Sequence, residues 1–439
     1  MSDPINDSIN RFREQFLERR AVQASDEAGW LGLVRTNALE RFLDKGFPTT
    51  RDEEWRFTNV APLASTSFAL AADADHDAAA LRKSLLVHGL GELETHELVF
   101  VNGRVSKALS SPGELPDGVV VASLSDALSE YGEALQPILS QSGGDETPFF
   151  DLNEAFLSDG AFIRVPKGVA LERPVHLVFL TTSGEPVVTH PRNVIVGEEG
   201  SQLRLLESYG GADGAVYWTN AVTQVTASAG AVIDHYKLQR ESLSAFHVAS
   251  LGYVQQRDAA VSNHSLSLGA RLARHDIGAA LAGEGADVTL NGLYVVQGSQ
   301  HVDHHTVVDH AVPHCTSREL YKGVLDGASS GVFNGRVIVR EDAQKTDSKQ
   351  SNKNLLLSDD ALVNTNPQLE INADDVKCAH GATIGQLDAE AMFYCRSRGI
   401  GREDARRILT EGFMADVSDR IRLAAVRDTL RELLFERAA

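Results

Sequence analysis

The sequence predicts a mainly β protein, with a long strand-rich centre between helical segments at both ends. Three observations carry this. From about residue 160 to residue 385, short strand-like runs follow one another, broken by Gly, Asp, Asn and Ser, and helical periodicity is almost absent. Within that centre, a corner of small residues followed by alternation returns roughly every 30 residues, a period typical of stacked units. On both flanks the apolar residues recur at helical spacing instead.

At the N-terminus, Ile5, Ile9, Phe12, Phe16 and Leu17 form one helical stripe, and Leu31, Val34, Leu39 and Phe42 form another. Gly46 and Pro48 end the second helix. These helices define a first unit over residues 1–95. A mixed α/β connecting region over 96–159 follows. In it Glu97 to Val105 reads as a hairpin turning at Asn102-Gly103, Leu124 to Leu139 as a short helix, and Gly143-Gly144-Asp145 as a loop.

The core covers residues 160–387. Its corners fall at Gly200, Gly230, Ala259, Gly285, Gly327 and about Asp360, with some drift. Each repeat unit is too small to bury a face alone and must stack on its neighbours. Strands without intervening helices suit a β-solenoid or a large sandwich equally. The last unit, 388–439, is helical again. Asp388-Ala389-Glu390 opens a helix with acidic residues suited to its dipole, and Gly399 and Gly401 break it. Arg402 to Asp416 forms a second helix, with Ala405, Ile408, Leu409 and Phe413 on one stripe. Ile421, Ala424, Ala425, Leu430, Leu433 and Leu434 mark a third. Helices beyond a solenoid end can cap it, or dock into a groove of another protein.

The 439 residues suffice for two or three folding units. Formal charge is 41 − 61 = −20, which argues against nucleic acid or an anionic membrane surface as the main partner. Only three cysteines occur, Cys315, Cys378 and Cys395. An odd set without Cys-x-x-Cys spacing is no disulfide framework and suits a reducing compartment. The first residues show neither a basic nor an apolar signal region, and no apolar run approaches the roughly 20 residues needed to span a bilayer. A cytoplasmic protein is expected.

The stretch Pro367 to Thr383 alternates up to a Cys-x-His pair and stops at Gly381. In an extended strand Cys378 and His380 share a face, with Cα atoms roughly 6.6 Å apart. A thiolate and an imidazole so placed can converge on one metal ion or cluster edge. Two ligands do not complete a four-ligand site, so the remainder comes from elsewhere in the fold or from a second subunit.

This stretch, with Phe393 to Ile400, resembles the signature of the SufD branch of the SufB/SufD family, scaffold subunits of iron–sulfur cluster assembly. The resemblance continues through Ser317 to Leu325, Val332 to Arg336, Gln344 to Asp347 and Gln350 to Ser358. Weaker similarity reaches Leu152 to Phe156 and Glu54 to Thr58. It implies a right-handed parallel β-helix core and a non-catalytic scaffold that pairs with SufB through β-helix edges. It implies a transient iron–sulfur cluster formed at that interface, with His380 leading and Cys378 beside it. It also implies that the C-terminal helices contact SufC, an ABC-type ATPase; Arg402, Ile408, Leu409 and Phe413 are the candidates there. Sulfur would come from a cysteine desulfurase system. No phosphate-binding loop occurs in the chain, so any ATP hydrolysis would be SufC's. A SufB-like homodimer is the nearest alternative, and self-association through the free edge is expected for the lone chain.

Other features read more plainly. His301, His304, His305, His310 and His314 cluster beside Cys315, but no zinc-hydrolase spacing is present and His304 and His305 face opposite ways on a strand. His310 and His314 share a face in an extended reading and remain secondary metal candidates. An internal polar ladder or a surface face accounts for the cluster as a whole, and a stand-alone zinc protein is the rival reading. Gly327-Ala328-Ser329-Ser330-Gly331 has the letters of a nucleophile elbow but precedes a strand-like run where a helix is required. A carbohydrate-active β-helix enzyme would need clustered groove carboxylates. Cys395 reads as a core thiol in a helix.

Overall fold

A computed structural model describes residues 4–23, 29–71, 78–86, 90, 93–140 and 147–438. The first helices are α1 (Pro4–Gln23) and α2 (Gly29–Lys45), followed by a 3-10 turn at Glu53–Trp55, α3 (Ala61–Ala64), β1 (Ala69–Leu70) and α4 (Ala78–Leu85). Next come β2 (His96–Val101), β3 (Arg104–Val105), β4 (Val120–Ser123), α5 (Leu124–Leu139) and α6 (Pro148–Ala155). The expected hairpin is present: β2 and β3 are antiparallel, and Asn102 and Gly103 take φ of 52° and 79°, as a two-residue turn of this kind requires. The expected loop at Gly143-Gly144-Asp145 lies outside the described residues.

From here strands succeed one another: β5 (Ala161–Val165), β6 (Val175–Thr181), β7 (Val187–Thr189), β8 (Arg192–Gly197), β9 (Gln202–Gly211), β10 (Tyr217–Ala227), β11 (Val232–Gln239), β12 (Phe246–Gln255) and β13 (Ala260–Ser267). They continue as β14 (Leu272–Leu281), β15 (Asp287–Val296), β16 (His301–His310), β17 (Thr316–Leu325), β18 (Ser330–Val339), β19 (Asp347–Leu356), β20 (Leu362–Ile371) and β21 (Lys377–Gly385). Three helices close the chain: α7 (Ala389–Ser397), α8 (Arg402–Ser418) and α9 (Ala424–Ala438).

From β8 onward alternate strands fall into two facing sheets. One runs β20-β18-β16-β14-β12-β10-β8-β5-β4, the other β21-β19-β17-β15-β13-β11-β9-β6-β2-β3. Within the repeat, successive neighbours are parallel and in register, so the core is a parallel β-solenoid of about 8 turns. The solenoid therefore resolves the choice that spacing alone left open.

The drift in the repeat has a simple cause. Val232 pairs with Ala260 and Thr316 with Asp347, steps of 260 − 232 = 28 and 347 − 316 = 31 residues. Strand lengths stay nearly constant, so the corners absorb the difference. One column of corners stacks Gly200, Gly230, Asp258, Gly285, His314 and Lys345, all at positive φ. The corners at Gly327 and Asp360 belong to the opposite edge, which is why the sequence period jumps after Gly285.

Inward-facing apolar residues fill the space between the sheets. Both outer faces are apolar in part and are covered by helices. Phe12, Phe16, Phe42 and Phe47 pack with Trp218, Phe246 and Val248 on the outside of the first sheet, although Leu17 in the same sequence stripe points to solvent. Met414, Val417, Ile421, Leu430 and Leu434 pack on Leu238, Leu266, Leu293 and Leu320 outside the second sheet. The C-terminal helices thus fold back along the solenoid wall and do not cap its end, because that outward leucine row otherwise faces water. Lys322 fastens them: its Nζ donates to the Phe413 carbonyl at 2.8 Å and meets Asp416 Oδ2 at 3.0 Å.

Candidate functional site

Among the described residues no strand lies beyond the last turn of the solenoid. β20 ends one sheet and β21 the other. In a parallel ladder each residue sends its N–H and C=O to one side, and the next residue to the other. The Lys377 N–H reaches back to Thr346 O at 2.8 Å. The backbone groups of Cys378, His380 and Ala382 therefore point outward from the edge, unclaimed by β19. On β20 the Leu362 N–H reaches Ser329 O, so Pro367 occupies an outward position where its missing N–H breaks no ladder bond. Leu362, Ile371 and Ile384 expose apolar surface at the same end.

Cys378 and His380 have side chains on the inward face of β21, as alternation requires. His380 is exposed and Cys378 half-buried, packed against the end of the inter-sheet core. Burial pushes the Cys378 thiol above its ordinary pKa, and the Asp347 charge adds to this. It rests as a thiol, and any metal bound there would have to displace the proton. Among the described residues no three His, Cys, Asp or Glu side chains are grouped to hold a metal ion. The pair stays an incomplete donor set on this chain.

Register shows what stands behind the pair. Stepping back one turn at a time from His380 gives Gln350, Glu319, Leu290 and Asn263. From Cys378 the same steps give Ser348, Ser317 and Val288. Ser317 donates to Ser348 at 2.8 Å, and His310 Nε2 meets Ser317 Oγ at 2.9 Å. The Cys378 row turns from apolar to polar over the last turns, and the His380 row ends in three polar residues, Glu319, Gln350 and His380. The sequence reading missed Gln350 and Glu319, although counting back 380 − 350 = 30 residues, one repeat, would have found the first.

The histidine cluster divides three ways. His304 points inward, stacked on His275 at 4.8 Å between ring centres and followed by His247, with burial holding His304 near pKa 3. His301 and His305 point outward and bind the N-terminal segment: His301 Nε2 meets Thr58 Oγ1 at 2.9 Å, and His305 lies between Asp303 and Glu54, each at 3.1 Å. Burial disfavours the His305 cation, but Asp303 and Glu54 outweigh it and raise the pKa to about 9. Arg274 joins this latch, paired with Asp276 and Asp303 and lying 3.7 Å over the Trp55 ring. His310 is fully buried, while His314 sits exposed in the corner column at φ 60°. The extended reading that put His310 and His314 on one face fails because the chain turns between them, so they do not converge on a metal.

Ser329 is buried and a strand follows it, as expected of a corner rather than a nucleophile elbow. Cys315 is a buried thiol donating to Gly283 O. Cys395 is only half-buried, on α7, a helix with no buried residue, so it is not a core thiol. Of the candidates on α8, Arg402 and Ile408 are exposed and Leu409 is half-buried. Phe413 turns toward the solenoid with its ring over Lys322 Nζ. A groove of about 490 Å³ between α7, α8 and the corner before β20 is lined by Leu357, Met392, Phe393, Arg396, Arg402 and Arg406. Phe393, Tyr394 and Ile408 add exposed apolar surface nearby.

The architecture is that of a helix-flanked parallel β-solenoid with an open final turn bearing an unfinished sulfur and nitrogen donor pair. Residues 179–413 match the model of the SUF system FeS cluster assembly SufBD core domain, and residues 6–177 that of the SufBD protein N-terminal region. An iron-sulfur cluster assembly SufBD family protein of Synechocystis is 33% identical over 95% of this chain and 93% of its own length. The iron-sulfur cluster assembly protein SufD of Escherichia coli is 33% identical over 88% of each chain, and that of Bacillus subtilis 27% identical over 92% of this chain and 93% of its own. The chain belongs to the SufBD family of iron–sulfur cluster assembly proteins. Among the described residues no helix is long and apolar enough to cross a membrane.

Proposed function

We propose that this chain is the SufD-type half of a scaffold on which iron–sulfur clusters are built. Its open final turn pairs with SufB, and iron and sulfur are gathered where His380 and Cys378 meet donors of that second chain. The observation that carries this reading is the location of the pair: two good iron ligands on the last strand of an unpaired edge, with no further donor set among the described residues. Two ligands from each side hold a nascent cluster loosely enough to pass it to an apo-protein, whereas a complete set on one chain would retain it. The scaffold does no covalent chemistry of its own. SufC supplies ATP hydrolysis and docks on the exposed surface of α7 and α8 around Arg402, Ile408 and Leu409. Phe413 and Lys322 connect that surface to the solenoid wall, so SufC movement is transmitted to the strands that end at the edge.

The test is His380→Ala in a complex reconstituted with SufB and SufC, supplied with ferrous iron and a cysteine desulfurase system. Cluster yield, read from iron content and visible absorbance, falls at least tenfold while the complex still forms. Undiminished yield would remove His380 from the site.

A further inference from the structure

We infer that Gln350, held by Glu319, is the positioning residue for the His380 imidazole. This rests on the reading of His380 as an iron ligand. Gln350 is the in-register neighbour of His380 on β19, and adjacent strands lie about 4.8 Å apart. Its amide has two ends with different fates. Nε2 donates to Glu319 Oε1 at 3.3 Å. Oε1 is buried and has no hydrogen-bond partner. A buried acceptor left unpaired is costly, and the in-register residue on the next strand, His380, carries a ring N–H able to supply the missing donor. The His380 ring is exposed and free to rotate toward it.

The surroundings fix which way the amide points. Glu319 is itself oriented, since Thr306 Oγ1 donates to its Oε2 at 2.7 Å. Gly335 faces Gln350 from the opposite sheet, and a Cβ there would overlap Gln350 Nε2 and the Phe333 ring. The bare glycine gives the amide its room. Thr306, Gly335 and Pro367 form one in-register row, facing the row Glu319, Gln350 and His380. With Nε2 committed to Glu319, Oε1 can only accept. The ring nitrogen nearer β19 must then carry the proton, and the other nitrogen is left with its lone pair facing the open edge. A histidine that ligates a metal commonly donates its second N–H to such a group, which fixes the tautomer and raises the basicity of the ligating nitrogen.

The experiment uses the full-length chain with ¹⁵N-labelled histidine at pH 8, above the Glu319 value of about 7, where its carboxylate accepts from both Thr306 and Gln350. The His380 ring signals are identified by their loss in His380→Ala, and their long-range proton–nitrogen correlations report the tautomer. Wild type shows one dominant tautomer. Gln350→Leu and Glu319→Leu give a mixture, while Glu319→Gln, which keeps a carbonyl acceptor for Nε2, retains the single form. In the reconstituted complex Gln350→Leu lowers cluster yield about tenfold or more, and Glu319→Gln stays close to wild type. An unchanged tautomer and unchanged yield in Gln350→Leu, in a complex where His380→Ala abolishes assembly, overturns the relay alone. Full yield in His380→Ala overturns the ligand reading on which it rests.

Discussion

Glu319→Gln should change the pH dependence of stability in a way that can be worked out from the structure. Burial between the sheets raises the Glu319 carboxyl from 4.5 to about 7, against the opposing hydrogen bonds from Thr306 and Gln350. The unfolded chain releases this proton near pH 4.5 and the folded chain near 7. Between those values the folded state binds more protons, so stability falls as pH rises. The contribution is full below pH 4.5 and lost above 7. At about 1.4 kcal/mol per pH unit, the interval from 4.5 to about 7 amounts to about 3.5 kcal/mol. Glu207 and Asp303 have depressed values and act in the opposite direction, but they are common to both proteins and cancel in the difference. On the strand facing Glu319, His304 and His310 flank Thr306, and burial holds them to about 3 and 4; the neighbouring Tyr321 phenol is pushed well above 10. None of these titrates between pH 5 and 7.5. Urea unfolding of both proteins across that window should show the variant gaining about 2–3 kcal/mol on wild type as pH rises. A difference that stays flat would refute a buried, proton-holding Glu319.

Three further outcomes follow. Lys322→Met removes the charged donor to Phe413 O and Asp416, and should speed amide exchange across α8 and α9 by an amount equivalent to about 1.5–3 kcal/mol, leaving β9 to β17 protected. Gly292→Ala places a methyl group against the Tyr321 ring, and should destabilise the solenoid by about 1–3 kcal/mol, read as a lowered urea midpoint. Ala382→Pro removes an outward N–H of β21 without touching its bonds to β19, so the chain should fold yet lose the pairing with SufB proposed above in size-exclusion chromatography; retained pairing would exclude this edge as the contact.

Much of this architecture was legible in the chain. The two flanking helical patterns, the Asn102-Gly103 turn and the small-residue corners are local signals, and each corresponds to an element in the structure. The number of corner columns was not legible, because the stacked positions include Asp258, His314 and Lys345, which carry no glycine signature even though their backbone is left-handed. The resting place of the C-terminal helices also escaped, since periodicity shows which residues need burial but not which surface buries them. At the site, alternation put Cys378 and His380 on one face. The polar row behind them depends on register between strands some 30 residues apart, which becomes visible only once corner lengths are known. His310 and His314 were misjudged for the same reason: a turn between them undoes the strand geometry that would bring them together.

The claim that the edge is completed by another chain is tested most directly by residue-resolved hydrogen exchange on β21, with and without SufB. The outward amides of Cys378, His380 and Ala382 should exchange freely in the lone monomer and become protected in the complex, while the amides of Lys377 and Ala379 are protected in both. Formation of the complex with the Cys378, His380 and Ala382 amides still exchanging freely would contradict the account.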